Sequence, residues 1–164
     1  PDELILPEEG EEVGDPHGLH PRRQAENLLL FEKLVKYVRE VRVNGAPLGK
    51  DPLVRNRLAE MAIEFQVGRL LAYRVAWLMS QGKVPNYETS MSKVFGSELA
   101  QRVSATALQV LGLAGQLTPG ARGAPLGGHF LAAYLRSVGD TVRAGTSEVQ
   151  RNIIATRGLG LPRG

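Results

Sequence analysis

A short run near the carboxyl end, residues 145–148 (Gly-Thr-Ser-Glu), carries the residue types best suited to binding an anion. A glycine turn leads into a hydroxyl side chain at the expected helix cap, and a carboxylate follows in the first turn. The first amides of a helix have no partner within it, so beside basic Arg143 and Arg151 they could hold a phosphate group. The same pattern is typical of an ordinary, well-capped helix, and both interpretations stay open.

Two other sets of residues give weaker signals. The glycine-rich stretch 112–128 lacks the Lys-Ser/Thr pair of a phosphate-binding loop and follows a predicted helix, so a flexible connection is the simpler interpretation. His17, His20 and His129 are too few and too scattered to predict a metal site. The sequence contains no cysteine, which excludes a disulfide framework, a thiolate zinc site and a cysteine nucleophile within it.

Charge is distributed unevenly along the 164 residues. Residues 1–21 hold seven of the 17 acids and no Lys or Arg, so residues 22–164 carry all 20 basic residues against 10 acids. A basic body of this kind favours an anionic partner such as a nucleotide cofactor or nucleic acid, or is simply a solvated surface. Nucleic acid is the weakest of these interpretations, because the arginines are spread over several predicted helices rather than clustered on one face.

Only helices are predicted to carry these groups, because no segment alternates polar and apolar residues with the period of a strand. Asp51-Pro52 is a strong start signal, since a capping carboxylate precedes a proline at the first helical position, and Asn86 is expected to cap the third helix. The predicted helices span residues 22–43, 52–82, 86–112, 129–138 and 147–157.

The predicted fold is all-α: an antiparallel four-helix bundle over residues 22–164, preceded by an irregular acidic lead-in over residues 1–21. A composition that is 43% hydrophobic supports a buried core, and no apolar run approaches the length of a membrane span. The later half of the second helix is apolar around most of its circumference, so we expect it to lie inside a bundle and to need cover from an associated chain.

The run from Ala144 to Arg163 closely resembles the terminal signature of the acyl-CoA dehydrogenases. Residues 97–101 (Ser-Glu-Leu-Ala-Gln) and 135–137 (Leu-Arg-Ser) are also similar to the helical C-terminal domain of that family, and the resemblance extends from about residue 22 to the end. It implies a flavoprotein that uses FAD to oxidise an acyl-CoA thioester. Such an enzyme removes a proton from the carbon beside the carbonyl, and a hydride passes from the next carbon to the flavin.

The resemblance also assigns cofactor contacts. Thr146 matches the hydroxyl residue that contacts FAD, and Glu148 matches a neighbouring contact that is often Gln. Gln109 and Gly112 match the Gln-x-x-Gly-Gly segment that approaches the cofactor from an adjoining subunit, although Leu113 replaces its second glycine.

A third element of the family pattern lies at the end of the first helix. Arg42 and Gly45 resemble the Arg-x-x-Phe-Gly turn, which is one residue shorter here and has Asn44 where Phe is expected. The implied assembly is a homodimer, a homotetramer or a hetero-oligomer with a family partner. A cytoplasmic location, a role in fatty acid metabolism and an electron-transfer acceptor are further expectations.

The catalytic base has no assigned position. Many members have Glu directly before the Gly-Thr turn, where this sequence has Ala144, and others place a Glu-Arg pair at the start of the first helix. The corresponding stretch here holds no acid, although Asp15 and Glu26 flank it. The chain is therefore expected to be part of a dehydrogenase whose base lies elsewhere or, alternatively, a catalytically silent subunit that supplies FAD-pocket and oligomer surface to an active partner. The first residue is Pro1, which is consistent with a piece of a longer polypeptide.

Overall fold

A computed structural model of the protein describes residues 21–163, and the acidic lead-in lies outside this range except for Pro21. The described residues form five α-helices and one two-stranded hairpin, together with three short 3₁₀ segments and a π-helical turn, Ile154–Gly158, that continues the last helix. The helices are α1 (Pro21–Glu40), α2 (Pro52–Ser80), α3 (Tyr87–Leu111), α4 (His129–Asp140) and α5 (Ser147–Ile153), and the strands are β1 (Arg42–Val43) and β2 (Ala46–Pro47). The all-α prediction is confirmed, apart from this hairpin.

The hairpin contradicts the prediction of an unbroken helix to residue 43 and of no strand. The helix stops at Glu40, and β1 pairs antiparallel with β2. Asn44 and Gly45 connect the two strands with positive φ angles of 51° and 81°. Asn-Gly is the preferred pair for such a two-residue turn, because both residues tolerate left-handed backbone. That dipeptide was the available signal, and strands of two residues are too short to show alternation.

The two predicted N-caps behave differently. The Asp51 carboxylate accepts hydrogen bonds from the amides of Leu53 at 2.8 Å and Val54 at 3.2 Å, which confirms the predicted start of α2. α3 begins directly after Asn86 as predicted, but the Asn86 side chain makes no capping hydrogen bond. Its Oδ1 instead accepts from Arg157 Nη1 at 2.8 Å, so this amide ties the start of α3 to the segment after α5.

The core consists of two clusters that α3 joins. One links the later half of α1 to the carboxyl half of α3 and the start of α4, and the other links the middle of α1 to α2 and the middle of α3. The first cluster contains later residues of both α1 and α3, and the second contains earlier residues of both. The two helices therefore run parallel to each other. The buried members are Leu34, Val38, Ala107, Leu111 and Phe130 in the first cluster, and Phe31, Met61, Leu99 and Val103 in the second.

α2 and α4 run opposite to α3. The start of α2 packs on the first cluster near the carboxyl end of α3, whereas Gly68, further along, lies against the Phe95 ring. Phe130 at the start of α4 belongs to the same first cluster, and Ser137 near its end lies 3.5 Å from Ser104, Oγ to Oγ. The short helix α5 packs on α3 beside these four helices.

One face of α2 is not buried within this chain. Ile63 and Leu70 are each 65% exposed and Trp77 is 51% exposed, although the pattern predicted that this half of the helix lies inside a bundle. Positions 63, 67, 70 and 77 fall on one side of a helix, opposite the side that carries Met61 and Val75 into the core. The single chain therefore leaves this apolar stripe open. In the described range, no helix combines the length and the apolar character that a membrane span requires.

Candidate functional site

The predicted anion turn is a tight reversal between α4 and α5. The Ser147 amide donates to the Thr141 carbonyl at 3.0 Å, which closes the turn over the intervening residues. Ala144 has a φ of 53° and Gly145 a φ of 90°, so two consecutive residues adopt left-handed backbone. A non-glycine residue in this region is costly, and such strain persists only where the surroundings fix it.

The side chain of Gln150 in α5 helps to hold this strained backbone in place. Its Nε2 donates to the Ala144 carbonyl at 2.9 Å, which holds the strained residue from the far side of the turn. A Cβ added at Gly145 would lie 2.6 Å from the same nitrogen. Glycine is therefore favoured at 145 by its backbone angle, and a Cβ there would also displace the end of the Gln150 side chain from its hydrogen bond to Ala144.

Thr146 caps α5 as predicted, since its Oγ1 accepts from the Val149 amide at 3.3 Å. The Glu148 carboxylate lies beside it, and hydrogen bonds from its own backbone N–H and from the Thr146 hydroxyl lower the pKa of Glu148. The two residues that were predicted to contact a cofactor thus contact each other. A carboxylate already lies at the amides where a phosphate was expected, so the turn suits an uncharged hydrogen-bonding group better than a phosphate.

The most buried charge near the turn is Lys93, which sequence reasoning missed. Only 8% of this residue is exposed, and its ammonium donates to the Gly145 carbonyl at 2.6 Å and towards the Thr141 carbonyl at 3.4 Å. Burial lowers the pKa of Lys93, and the charges of Asp140, Glu98 and Glu148 partly offset that effect. The available signal was the position of Lys93 on the same face of α3 as the small residues Ser97, Ala100 and Ser104.

The basic residues that flank the turn have different surroundings. The Arg151 guanidinium lies 2.7 Å from one Glu98 oxygen and 2.9 Å from the other, so its charge is largely matched within the chain. Arg143 is exposed at the surface of the turn. Ser147 is buried, and its Oγ has no hydrogen-bond partner.

Gln109 and Gly112 lie at the carboxyl end of α3. The Gln109 carbonyl accepts from the Gly112 amide, and Gly112 adopts φ 62° and ψ −148°, a combination that essentially only glycine populates. A Cβ at Gly112 would meet no atom within 4 Å, so the backbone here is open to an approaching molecule. Leu113, which replaces the family's second glycine, is 93% exposed.

Arg42 lies at this same end of the bundle. Its hairpin directly follows α1, and Val38 in the last turns of α1 packs against Ala107 and Leu111 of α3. The guanidinium is exposed, and its Nη1 donates to the Gly45 carbonyl at 3.0 Å across the Asn-Gly turn. The remaining guanidinium donors face outwards from a position that the hairpin fixes.

The predicted cofactor residues therefore form two groups rather than one site. We call residues 141–148 the α4–α5 turn, and we call Arg42, Gln109 and Gly112 the distal group. Lys93 marks the level of the turn on α3, and at about 1.5 Å per residue it lies about 24 Å from Gln109 along the helix. The structure does not bring the turn and the distal group together within one chain.

Among the described residues, none of the positions considered for the catalytic base places a carboxylate at residue 144 of the turn. Ala144 is exposed there, Asp15 lies outside the described range, and Glu26 is exposed on α1. In the part of the chain that the structure describes, no three His, Cys, Asp or Glu residues are grouped as metal ligands would be. His17 and His20 precede that part.

Comparison with known proteins identifies the domain. The family model "Acyl-CoA dehydrogenase, C-terminal domain" matches residues 28–159. The chain belongs to the acyl-CoA dehydrogenase family. The assignment from the terminal signature is thus confirmed, and so is the all-α fold of that family's C-terminal domain.

Similar proteins include enzymes that act on different acyl carriers. The chain is 34% identical over 126 residues to L-prolyl-[peptidyl-carrier protein] dehydrogenase of Pseudomonas fluorescens, covering 76% of this chain and 31% of that protein. It is 35% identical over 121 residues to human mitochondrial short-chain specific acyl-CoA dehydrogenase, covering 74% of this chain and 27% of that protein. The chain thus spans about a third of the length of these relatives.

Solved structures of the family share the fold. The steroid acyl-CoA dehydrogenase Tcur3481–Tcur3483 superposes with a TM-score of 0.79 at 28% identity, covering 86% of this chain and 35% of the matched chain. The ChsE4–ChsE5 complex from Mycobacterium tuberculosis gives a TM-score of 0.79 at 30% identity, covering 86% of this chain and 37% of the matched chain.

Proposed function

We propose that this chain is the C-terminal domain of an FAD-dependent dehydrogenase of acyl thioesters, and that FAD lies between two such domains. The observation that supports this most is the separation of the cofactor residues into two groups about 24 Å apart along α3. A single extended dinucleotide can use both groups if each chain offers its α4–α5 turn to one cofactor and its distal group to another.

The two groups fit different parts of FAD. Arg42 gives the distal group an exposed cation, and the open backbone at Gly112 permits close approach, so this group suits the pyrophosphate. The Glu148 carboxylate and the Thr146 hydroxyl suit an uncharged part that offers hydroxyl or amino donors. When bound, FAD would accept a hydride from the substrate carbon. These residues of the chain would bind and orient FAD.

A catalytically silent subunit is the second candidate. Ala144 is exposed at the surface of a tightly held turn, in the position where many members carry the base, and it has no group that can take a proton. Such a chain would contribute cofactor contacts and oligomer surface to a partner that supplies the base. The names of the two solved structures described above also specify two components each.

Both candidates require association, and the exposed stripe on α2 offers a surface for it. Ile63, Val67, Leu70 and Trp77 would remain in contact with water in a lone chain. An apolar patch of this kind on a small domain marks an interaction site. We assign it to contact with a second copy or with a family partner, as in a dimer or tetramer.

The test uses the full-length polypeptide that contains this chain, purified alone and mixed with a family homologue encoded beside it. Each sample receives FAD and an acyl thioester, carried by CoA or by a carrier protein, and the flavin absorbance is followed. Bleaching by the polypeptide alone supports the dehydrogenase, and bleaching only in the mixture supports the silent subunit. If neither sample retains flavin, both candidates are wrong.

Ala144→Glu separates the two candidates further. A positioned general base contributes about 10²- to 10⁴-fold to a rate. A gain of about 100-fold or more in bleaching by the variant alone would show that the base was missing from this position. An unchanged rate, in a variant that still binds flavin, places the base elsewhere in the polypeptide.

A further inference from the structure

We propose that Lys93 is a positioning residue, which holds the α4–α5 turn through two main-chain carbonyls and thereby orients Thr146 towards the cofactor. The contact with a cofactor rests on the proposed function. The hold on the turn rests on the structure of this chain and can be measured without any ligand.

The two carbonyls that Lys93 reaches lie at opposite ends of the turn. Thr141 follows the last residue of α4, and Gly145 directly precedes the N-cap of α5. The Lys93 ammonium donates to Gly145 at 2.6 Å and towards Thr141 at 3.4 Å. One buried side chain of α3 thus joins the end of α4 to the start of α5 and fixes the distance between them.

The turn needs such a hold because its backbone is strained. Ala144 and Gly145 both have positive φ, and α5 has seven residues that a five-residue π-helical turn continues to Gly158. A helix of this length is marginal by itself, so its place depends on tertiary contacts. Gln150 donates to the Ala144 carbonyl on the outer side of the turn, and Lys93 donates to the Gly145 carbonyl on the inner side.

A cation suits this inner position. The Thr141 carbonyl at the end of α4 accepts from the Ser147 amide and carries the partial negative charge of a helix carboxyl terminus, which favours a cation beside it. The charges of three carboxylates act on Lys93: Glu98 on α3, Asp140 on α4 and Glu148 on α5. Arg151, a nearby cation, pairs with Glu98. A neutral side chain at position 93 would leave the two carbonyls without this donor.

The experiment compares the full-length polypeptide with Lys93→Met, which keeps the length of the side chain and removes the donor. Lys36→Met is the matched control, because it removes an exposed lysine of α1 far from the turn. Amide hydrogen exchange is measured for residues 145–150 without ligand, and the dissociation constant of FAD is measured by fluorescence titration.

We expect Lys93→Met to exchange the amides of Ser147, Val149 and Gln150 at least 10-fold faster, with the amides of α2 unchanged, and to bind FAD at least 10-fold more weakly. Lys36→Met should match the wild type in both measurements. Lys93→Arg, which keeps the cation, should recover part of both losses. If Lys93→Met does not fold, Lys93→Gln, which keeps a shorter donor, replaces it in the same comparison.

Two outcomes overturn the proposal. Wild-type exchange in Lys93→Met means that the lysine does not hold the turn, whether or not flavin binds. Faster exchange with unchanged FAD affinity means that Lys93 is a structural tie with no part in positioning. Failure of the proposed function is distinct from both, because then the wild type itself binds no FAD while the exchange rates still differ between wild type and variant.

Discussion

The α4–α5 turn and the distal group differ in how firmly the chain itself fixes them. At the turn, Lys93, Gln150 and the Ser147 amide hold two left-handed residues from different sides. In the distal group, Arg42 is hydrogen-bonded to its own hairpin turn, Gly112 has open space beside it, and Leu113 is exposed to solvent. One half of the candidate site is therefore preorganised within a chain, and the other half is surface that a partner must complete.

This difference predicts where substitutions affect folding and where they affect binding alone. Changes at the turn should lower both stability and cofactor affinity, because the same contacts serve both. Changes in the distal group should lower affinity with little loss of stability, because few contacts within the chain depend on those residues.

Gly145→Ala should have the largest effect on stability. The alanine must adopt a φ of 90°, and its Cβ would lie 2.6 Å from Gln150 Nε2, which must move away from the Ala144 carbonyl, so both strain and a lost hydrogen bond oppose folding. We expect a loss of about 2–3 kcal/mol in the free energy of unfolding, measured with urea.

Gly82→Ala is the matched control, because Gly82 also has positive φ but has nothing within 4 Å of the added atom. Its cost should be only about 1 kcal/mol. Equal losses in the two variants would mean that the contact with Gln150 does not restrict this position.

Thr146→Val should come next, with effects on both quantities. Valine keeps the shape of threonine but cannot accept the hydrogen bond from the Val149 amide. Loss of a helix cap costs about 1 kcal/mol. The hydroxyl is also our proposed flavin contact, so we expect FAD affinity to fall by about 10-fold, the equivalent of one lost hydrogen bond.

Asp51→Ala provides the comparison for that variant. Asp51 caps α2 with two hydrogen bonds but is not one of the proposed cofactor residues. Its removal should destabilise the protein by a similar amount, about 1 kcal/mol, and leave FAD affinity unchanged. If both variants weaken FAD binding equally, the effect of Thr146→Val reflects stability rather than contact.

Arg42→Ala should reverse the balance seen at the turn. The guanidinium is exposed and bonds only to its own hairpin, so unfolding free energy should change by less than about 0.5 kcal/mol. FAD affinity should fall by about 10-fold, and its dependence on salt should become weaker, because one charged contact to the pyrophosphate is lost. Arg39→Ala, an exposed residue of the last turn of α1, should leave both the affinity and the salt dependence unchanged. A salt dependence that survives in Arg42→Ala would argue against the pyrophosphate contact.

The sequence predicts the local features of the site better than the contacts between distant segments, for physical reasons. Caps such as Asp51 and Thr146 act over three or four residues, so local spacing reveals them. Lys93 could not be assigned in this way, because its partners lie about fifty positions further along the chain and meet it only in the folded bundle. The hairpin at Asn44-Gly45 was predictable from its dipeptide alone.

The apolar stripe on α2 shows another limit of sequence reasoning. Periodicity correctly identified apolar residues on several sides of this helix, but it could not tell which side α3 covers and which side a second chain must cover. In the structure Leu78 is buried, whereas Ile63 and Leu70 of the same helix are exposed. An amphipathic pattern predicts which face of a helix is apolar. Only the folded structure shows which neighbouring element covers that face.

The smallest expected effect is that of replacing Glu148, whose negative charge distinguishes the α4–α5 turn from the distal group. Hydrogen bonds from its own amide and from Thr146 lower its pKa below the usual 4.5. The folded state therefore binds the proton less readily than the unfolded chain. The stability gained is present at neutral pH and is lost as the pH falls from about 4.5 through the lowered pKa.

Glu148→Gln should remove this part of the acid sensitivity, so the difference in unfolding free energy between wild type and variant should shrink on acidification. At pH 7 the variant should bind FAD slightly more weakly, because an amide oxygen is a weaker acceptor than a carboxylate for hydroxyl or amino donors of the cofactor. Tighter binding by the variant would instead indicate that the carboxylate repels an anionic part of FAD, and it would contradict the assignment of the turn to a donor-bearing part.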